Sequence, residues 1–254
     1  MPFLLICLLP TIFYLLILLL YLQDKISGFT FIFILFFVLI FLVVTRFIKR
    51  KSQYKRKINL IFCITFLLFC YELPLILYDS TSHVALLYQP PEQIVEGSNI
   101  YLLGVSQANF EFMENKLTVA ELLDKQHINA LNIIEGTNQL RYESKNRQLL
   151  EWFHLKKDDE EQMKESVRYN LGIEDKRIDT FLNRNHIDGN SAGLGLVLSG
   201  IIIKGNLQNT LPIAVTGGID KKGDVLPIGV LKEKIQIASL SGIPFMIVPS
   251  ENAK

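Results

Sequence analysis

The chain has almost no acidic residues in its first third and no cysteine in its last two thirds. Residues 1–78 contain two acids, Asp24 and Glu72, and eight bases, whereas residues 79–254 contain 23 acids and 18 bases, a formal charge of −5. Because the first third is so apolar, the chain is neither a fully soluble protein nor a disordered one. The acidic remainder argues against a nucleic-acid partner, which requires a basic face.

The sequence also lacks the residues that metal sites and phosphate-binding loops require. Cys7, Cys63 and Cys70 all lie in the apolar third, and the four histidines show no metal-ligand spacing. We therefore expect no disulfide framework and no metal in residues 79–254. The phosphate-binding pattern Gly-x-x-x-x-Gly-Lys-Ser/Thr is absent as well, so the sequence predicts no P-loop ATPase and no cofactor.

The apolar third contains three runs long enough to cross a membrane. We predict spans over about 3–22, 27–48 and 58–78, because a bilayer core of roughly 30 Å requires about 20 apolar residues in a helix. The third run crosses only if Glu72 lies at an interface, where its carboxylate reaches water. A cleavable signal peptide is the alternative for the first run, but that run is long and no basic segment precedes it.

The loop between the second and third spans indicates the orientation. Residues 46–57 contain seven bases and no acid, which places this loop in the cytoplasm by the positive-inside rule. We expect a multi-pass protein of the cell membrane, with residues 79–254 outside the cell. If the third run does not span, residues 79–254 are cytoplasmic. A binding patch for anionic lipid is another interpretation of the same bases.

Beyond the membrane part, we predict a linker or extended arm over 79–98 and one α/β (α+β) domain over 99–254. The segment 118–167 is polar and mostly helical in pattern, with Trp152 and Phe153 expected in a core or an interface. The last seventy residues alternate between helices and strands. The predicted helices are 191–203 and 231–240, and the predicted strands are 211–216, 225–228 and 244–249.

A lysine in the second of these helices is a candidate base. The apolar positions Leu231, Ile235 and Ala238 form one stripe, and Lys234 falls on it, whereas Glu233 falls on the other face. A buried lysine has a lowered pKa and can act as a general base near neutral pH. The alternative is a lysine that extends to solvent at the edge of the stripe.

A serine at the start of the first helix is a candidate nucleophile. Ser191 precedes a small, apolar helix, and a helix N-terminus offers backbone N–H groups that can stabilise an oxyanion. By position alone, a capping role for Ser191 is the simpler interpretation. His186, five residues earlier, is expected to be a loop residue.

Five sequence blocks together resemble the proteolytic domain of Lon-type proteases. They occur in the family's order and spacing over 188–252 and are Asp188-Gly-Asn-Ser-Ala-Gly-Leu194, Thr216-Gly-Gly218, Gly223-Asp-Val-Leu-Pro-Ile-Gly229, Leu231-Lys-Glu-Lys234 and the segment 242–252. The resemblance implies that Ser191 is the nucleophile and Lys234 the base of a Ser–Lys dyad. It further implies supporting roles for Thr216, beside the dyad, and Asp188, which opens the nucleophile loop.

The sequence departs from the family pattern at several points. Asn190 stands where proline is usual, and Val230 stands where glycine allows close backbone approach. The family's domain usually continues beyond a segment such as 249–252, so we expect 99–254 to be a fragment or a domain truncated at its C-terminus.

The resemblance is greatest to membrane-anchored, ATP-independent Lon-like proteases of bacteria. It implies a serine endopeptidase that acts on peptides or unfolded proteins at a lipid bilayer, and a homo-oligomer that is hexameric by family resemblance. The competing hypothesis is a catalytically inactive Lon-like domain that serves as a membrane-bound binding or assembly module. A small transporter finds no support, because the spans lack paired charges beyond Glu72.

Overall fold

A computed structural model describes residues 3–48, 55–153, 155, 158–172, 175–184 and 189–253. The chain forms two compact units. The first contains Met1–His83, Asn109–Glu114 and Glu135–Leu150, and the second contains Val84–Ala108, Asn115–Ile134 and Glu151–Lys254. This division differs from the expected one, because two short segments of the expected 99–254 domain group with the apolar helices.

Helices and strands are mixed, as the sequence predicts. The helices are α1 (Phe3–Leu22), α2 (Gly28–Ile48), α3 (Lys55–Glu72), α4 (Lys116–Lys125), α5 (Asn138–Trp152), α6 (Asp159–Leu171), α7 (Lys176–Leu182), α8 (Gly193–Ile203) and α9 (Leu231–Leu240), with 3₁₀ turns at Leu73–Leu77 and Ser250–Ala253. The strands are β1 (Thr81–Tyr88), β2 (Ile100–Leu102), β3 (Val105–Glu111), β4 (Ala130–Glu135), β5 (Ile213–Val215), β6 (Gly218–Ile219), β7 (Val225–Leu226) and β8 (Phe245–Ile247).

The strands form two three-stranded sheets and one hairpin. One sheet has the order β3-β1-β4, and the other has the order β2-β5-β8 with parallel pairing on both sides of β5. Strands β6 and β7 pair antiparallel around the turn at 220–224. The parallel sheet matters most for the site, because β5 leads directly into Thr216.

The first unit contains the apolar helices. Among the residues whose side chains the structure describes, Gly28–Ile48 and Lys55–Leu77 are long and apolar enough to cross a membrane, and Leu8–Leu22 of α1 is apolar as well. Aromatic and aliphatic side chains of α1 and α2 pack together with Leu75 in a common core. Tyr21, Phe31 and Leu75 are fully buried there. Most other apolar side chains of these helices are exposed, as on a surface that faces lipid.

Helix α5 carries one polar stripe, Asn138, Arg141, Tyr142 and Lys145, and three of these residues bond to helix α1, the turn after it or helix α3. The spacing i, i+3, i+4, i+7 places these four residues on one helix face. The Asn138 amide donates to the carbonyl oxygens of Tyr21 (2.9 Å) and Ile26 (2.8 Å), at the end of α1 and just beyond it. Carbonyl groups at a helix end need such donors, since they have no partner within the helix.

The same stripe encloses Glu72, at the end of α3. Lys145 and Glu72 are both fully buried, and Lys145 Nζ donates to Glu72 Oε2 at 2.6 Å. The hydroxyls of Tyr14 and Tyr142 donate to the other carboxylate oxygen. The sequence makes an interfacial Glu72, in reach of water, the condition for the third run to span. In the structure the carboxylate is fully buried and is paired with an ammonium group and two hydroxyls.

Two further expectations differ from the structure. Thr81–Tyr88 form strand β1, between β3 and β4, whereas the sequence predicts a linker or extended arm there. Trp152 and Phe153 are 59% and 69% exposed, which excludes a core position, while their expected place in an interface stays a prediction. In both cases local composition is a weak guide, because pairing and burial depend on distant parts of the chain.

The second unit has its main core where α6 and α8 pack together with Leu102 of β2. Met163, Val167 and Leu196 are almost fully buried in this cluster. The helices approach closely because α8 contains glycine, and a Cβ atom at Gly200 would overlap Leu171. The core thereby fixes the start of α8, where Ser191 lies.

Candidate active site

Ser191 lies immediately before helix α8, which begins at Gly193 and not at Ser191 as the sequence predicts. Ala192 is the N-cap residue, and no side chain caps this helix. The Ser191 carbonyl accepts a hydrogen bond from the Gly217 N–H at 2.8 Å, which ties the serine to the loop after β5. The hydroxyl is thus not engaged in capping.

Lys234 reaches this hydroxyl from helix α9. Its Nζ donates to Ser191 Oγ at 2.6 Å and to Thr216 Oγ1 at 3.0 Å. Lys234 is 3% exposed and Thr216 is fully buried. Ser191, Lys234 and Thr216, which are far apart in the sequence, therefore meet at one point.

Burial determines the pKa of Lys234. Removal from water lowers the pKa of Lys234 from 10.5 to about 8, because the charged ammonium loses hydration. A substantial fraction of the side chain is then a neutral amine at mildly alkaline pH. A neutral amine in contact with a hydroxyl can accept its proton.

The strand order explains the position of Thr216. Its backbone N–H donates to the Ile247 carbonyl at 3.1 Å, so it continues the pairing of β5 with β8. A parallel strand that is buried between two neighbours is rigid, and residues at its carboxyl end are held accurately. The threonine hydroxyl is thereby fixed as a second acceptor for Lys234.

The buried face of α9 is shifted from the predicted stripe. The buried residues are Glu233, Lys234, Ile237 and Ala238, whereas Ile235 is 50% exposed. The expectation of a buried Lys234 agrees with the structure, but the placement of Glu233 on the other face and of Ile235 in the stripe is wrong. The buried Glu233 carboxylate accepts a hydrogen bond from the Asn132 amide at 2.8 Å, which partly replaces its contact with water. No local pattern in the sequence indicates this partner on β4.

Val230, the N-cap residue of α9, has a left-handed backbone with φ +48° and ψ +37°. This conformation is unfavourable for a β-branched residue and natural for glycine. The departure noted in the sequence therefore falls on a backbone that suits glycine better. Asp188 and His186 lie outside the described residues.

No group of three or more His, Cys, Asp or Glu side chains that could hold a metal ion occurs in the described part of the chain. What the geometry offers is a serine hydroxyl, a lysine of lowered pKa and a threonine that orients it. This combination is typical of a serine hydrolase with a lysine base.

The comparisons with known proteins assign the family of this region. Residues 161–254 match the family model described as Lon protease (S16) C-terminal proteolytic domain. Lon proteases of Brucella suis, Rickettsia bellii and Rhizobium meliloti are 42%, 40% and 40% identical to this chain over 67 residues, or 26% of the chain. Residues 161–254 thus match a Lon-type proteolytic domain, as the sequence blocks predict, and this match supports a serine peptidase.

The match is confined to a small part of each relative. The chain spans 8–9% of the length of these three proteases. Activity, substrates and assembly of those whole proteins therefore do not transfer to this chain as findings.

Proposed function

We propose that the chain is a membrane-anchored, ATP-independent serine endopeptidase of Lon type that uses a Ser191–Lys234 dyad. The observation that carries this proposal is the 2.6 Å contact between Nζ of the buried Lys234 and Oγ of the half-buried Ser191. The contact places a base within proton-transfer distance of a nucleophile, which is the first requirement of this chemistry.

In the proposed reaction, neutral Lys234 accepts the Ser191 proton while Oγ attacks the substrate carbonyl carbon. The resulting ammonium then donates that proton to the leaving amine, and a water molecule releases the acyl group by the reverse sequence. Thr216 Oγ1 accepts a hydrogen bond from Nζ and keeps the amine directed at Ser191. Asp188, in the nucleophile loop, is proposed as a supporting residue by family resemblance.

We propose that backbone N–H groups near the start of α8 stabilise the oxyanion of the reaction. The Gly193 and Leu194 N–H groups donate to Asn190 and Gly217 carbonyls. The N–H groups of Ser191 and Ala192 are the candidates that remain next to the nucleophile. Donors held in a fixed direction stabilise a developing charge without reorganisation.

The proposed anchor is the apolar region of α1, α2 and α3. Two segments there pass the length and composition test for a span, and their exposed surfaces are apolar. The P-loop pattern is absent from these 254 residues, so we propose ATP-independent cleavage of peptides and unfolded chains. The family's hexameric ring is a further proposal for the assembly.

The test is hydrolysis of unstructured casein, without ATP, by the detergent-solubilised chain and by Ser191→Ala and Lys234→Ala. We expect cleavage by the parent and loss of at least about a thousandfold in kcat for either variant. Lys232→Ala, an exposed lysine on the same helix, is the matched control and should retain activity.

Other outcomes have defined meanings. Hydrolysis that survives Ser191→Ala would rule out the proposed nucleophile. Absence of hydrolysis in the parent, also when the chain is extended beyond Lys254, would favour the inactive binding or assembly module.

A further inference from the structure

A groove of about 960 Å³ lies between helix α4, strand β4 and helix α9. Five consecutive residues, 129–133, form one wall. Leu117 and Ala120 of α4 and Gln236 and Leu240 of α9 contribute to the others. The groove is separate from the buried contact between Lys234 and Ser191, since none of its lining residues belongs to that contact.

The wall formed by β4 is the edge of a sheet. The strand order β3-β1-β4 gives β4 a neighbour on one side, and no described strand pairs with its other side. The backbone N–H and C=O groups along such an edge can pair with another extended chain. Proteins usually protect an open edge with charge or proline, yet residues 129–134 contain neither and β4 is charged only at its last residue, Glu135.

Two large apolar side chains are exposed beside this edge. Leu117 is 73% exposed and Leu240 is 65% exposed, and both line the groove. The charges lie at opposite ends of its helical wall, with Lys116 at the start of α4 and Asp124 near its end, about 12 Å apart along the helix. The groove thus offers backbone pairing, apolar contact and one charge of each sign.

We propose that this groove binds an extended segment of unfolded polypeptide, which adds to β4 as a further strand. Five residues of strand span about 17 Å, enough to align a segment of similar length. Main-chain hydrogen bonds would supply affinity without strict sequence dependence, and apolar side chains of the segment would contact Leu117 and Leu240. This inference rests on the proposed function, because it assigns a docking site to the same class of substrate.

Hydrogen–deuterium exchange tests the pairing directly. The probe is unstructured casein added in saturating amount to the full-length Ser191→Ala chain, which binds but cannot cleave. We expect slower exchange of the amides within 129–135, because strand addition protects them. Casein that does not bind this variant, or that binds without protection of 129–135, would overturn the proposal.

Substitution tests the side chains. Leu117→Asp and Leu240→Asp should each weaken casein binding by about tenfold, measured by fluorescence polarisation in the Ser191→Ala background. Leu155→Asp is the matched control, because Leu155 is 75% exposed and does not line the groove. Circular dichroism of each variant checks the fold.

The kinetic readout separates this proposal from the peptidase itself. In the active chain, the two groove variants should raise KM for casein and leave kcat unchanged. Cleavage with an unaltered KM would reject the groove and leave the peptidase intact. Binding and protection without any cleavage by the parent would reject the peptidase and leave the groove intact.

Discussion

At the scale of single residues, Lys234 concentrates the chemistry, because one side chain combines burial, a lowered pKa and two hydroxyl contacts. The spacing of apolar residues makes Lys234 a candidate for burial, with extension to solvent at the edge of the stripe as the alternative. The two contacts could not be predicted from spacing, since Ser191 lies 43 positions away in the chain. Only the resemblance to a family connects the two residues before the fold is known.

The pKa of Lys234 predicts the pH dependence of activity. With a pKa of about 8, roughly one molecule in ten has the neutral amine at pH 7. We expect kcat/KM for casein to rise nearly tenfold per pH unit below 8 and to level off above it. A midpoint near 6.5 would instead indicate a histidine base.

The same shift fixes the sign of the effect on stability. The unfolded lysine titrates near 10.5 and the folded one near 8, so between these values the unfolded state binds more protons. The free energy of unfolding should therefore rise as pH increases from 8 to 10.5, by at most about 3 kcal/mol. Lys234→Met should lose this dependence in denaturant titrations at several pH values.

Val230 predicts a gain in stability. A β-branched residue with φ +48° is strained, and glycine adopts this conformation freely. Val230→Gly should raise the free energy of unfolding by about 1 kcal/mol, measured by thermal and denaturant unfolding. Gly242→Val, which places a β-branched residue at φ +67° after the same helix, should lower it. A loss of stability in Val230→Gly would contradict the strain.

At the scale of helices and strands, the sequence predicts the elements whose characteristic residue pattern lies within the element itself. Helix α9 follows from apolar spacing, and its bounds agree with the predicted 231–240, whereas β6 lies outside the predicted strand 211–216. Strand β1 and the burial of Glu233 could not be predicted, because both depend on partners distant in the sequence. The contact of α5 with the apolar helices belongs to the same group.

That contact predicts an asymmetric double-mutant cycle. Lys145→Met leaves the buried Glu72 carboxylate without its cation and should lower the free energy of unfolding by about 3–5 kcal/mol. Adding Glu72→Gln should recover much of this loss, because no buried charge then remains. Thermal unfolding in detergent measures both. Equal stability of Lys145→Met and the parent would show that the pair is not buried in the folded protein.

At the scale of the whole molecule, two compact units and one proposed bilayer define the organisation. The contact between Lys234 and Ser191, which we propose to be catalytic, lies entirely in the second unit, and the apolar helices lie entirely in the first. The side of the membrane on which the second unit lies therefore depends on the orientation of the apolar helices, and the bases in 46–57 predict that orientation.

Cysteine labelling tests this orientation. The native residues Cys7, Cys63 and Cys70 are first replaced by alanine. In this background we expect the introduced cysteine of Thr210→Cys to react with a membrane-impermeant maleimide on intact cells. A cysteine introduced at Ser52, in the basic loop, should react only after lysis. The reverse pattern would place the second unit in the cytoplasm.

The pairing of Glu72 with Lys145 has a consequence for the order of synthesis. The two residues are 73 positions apart, so the ribosome completes the apolar helix long before it makes the lysine. At 5–20 residues per second, the interval is about 4–15 s. During that time the carboxyl group lacks the partner that Lys145 supplies in the folded protein. Attachment of α5 then completes, late in biogenesis, a helix bundle that translation leaves unfinished.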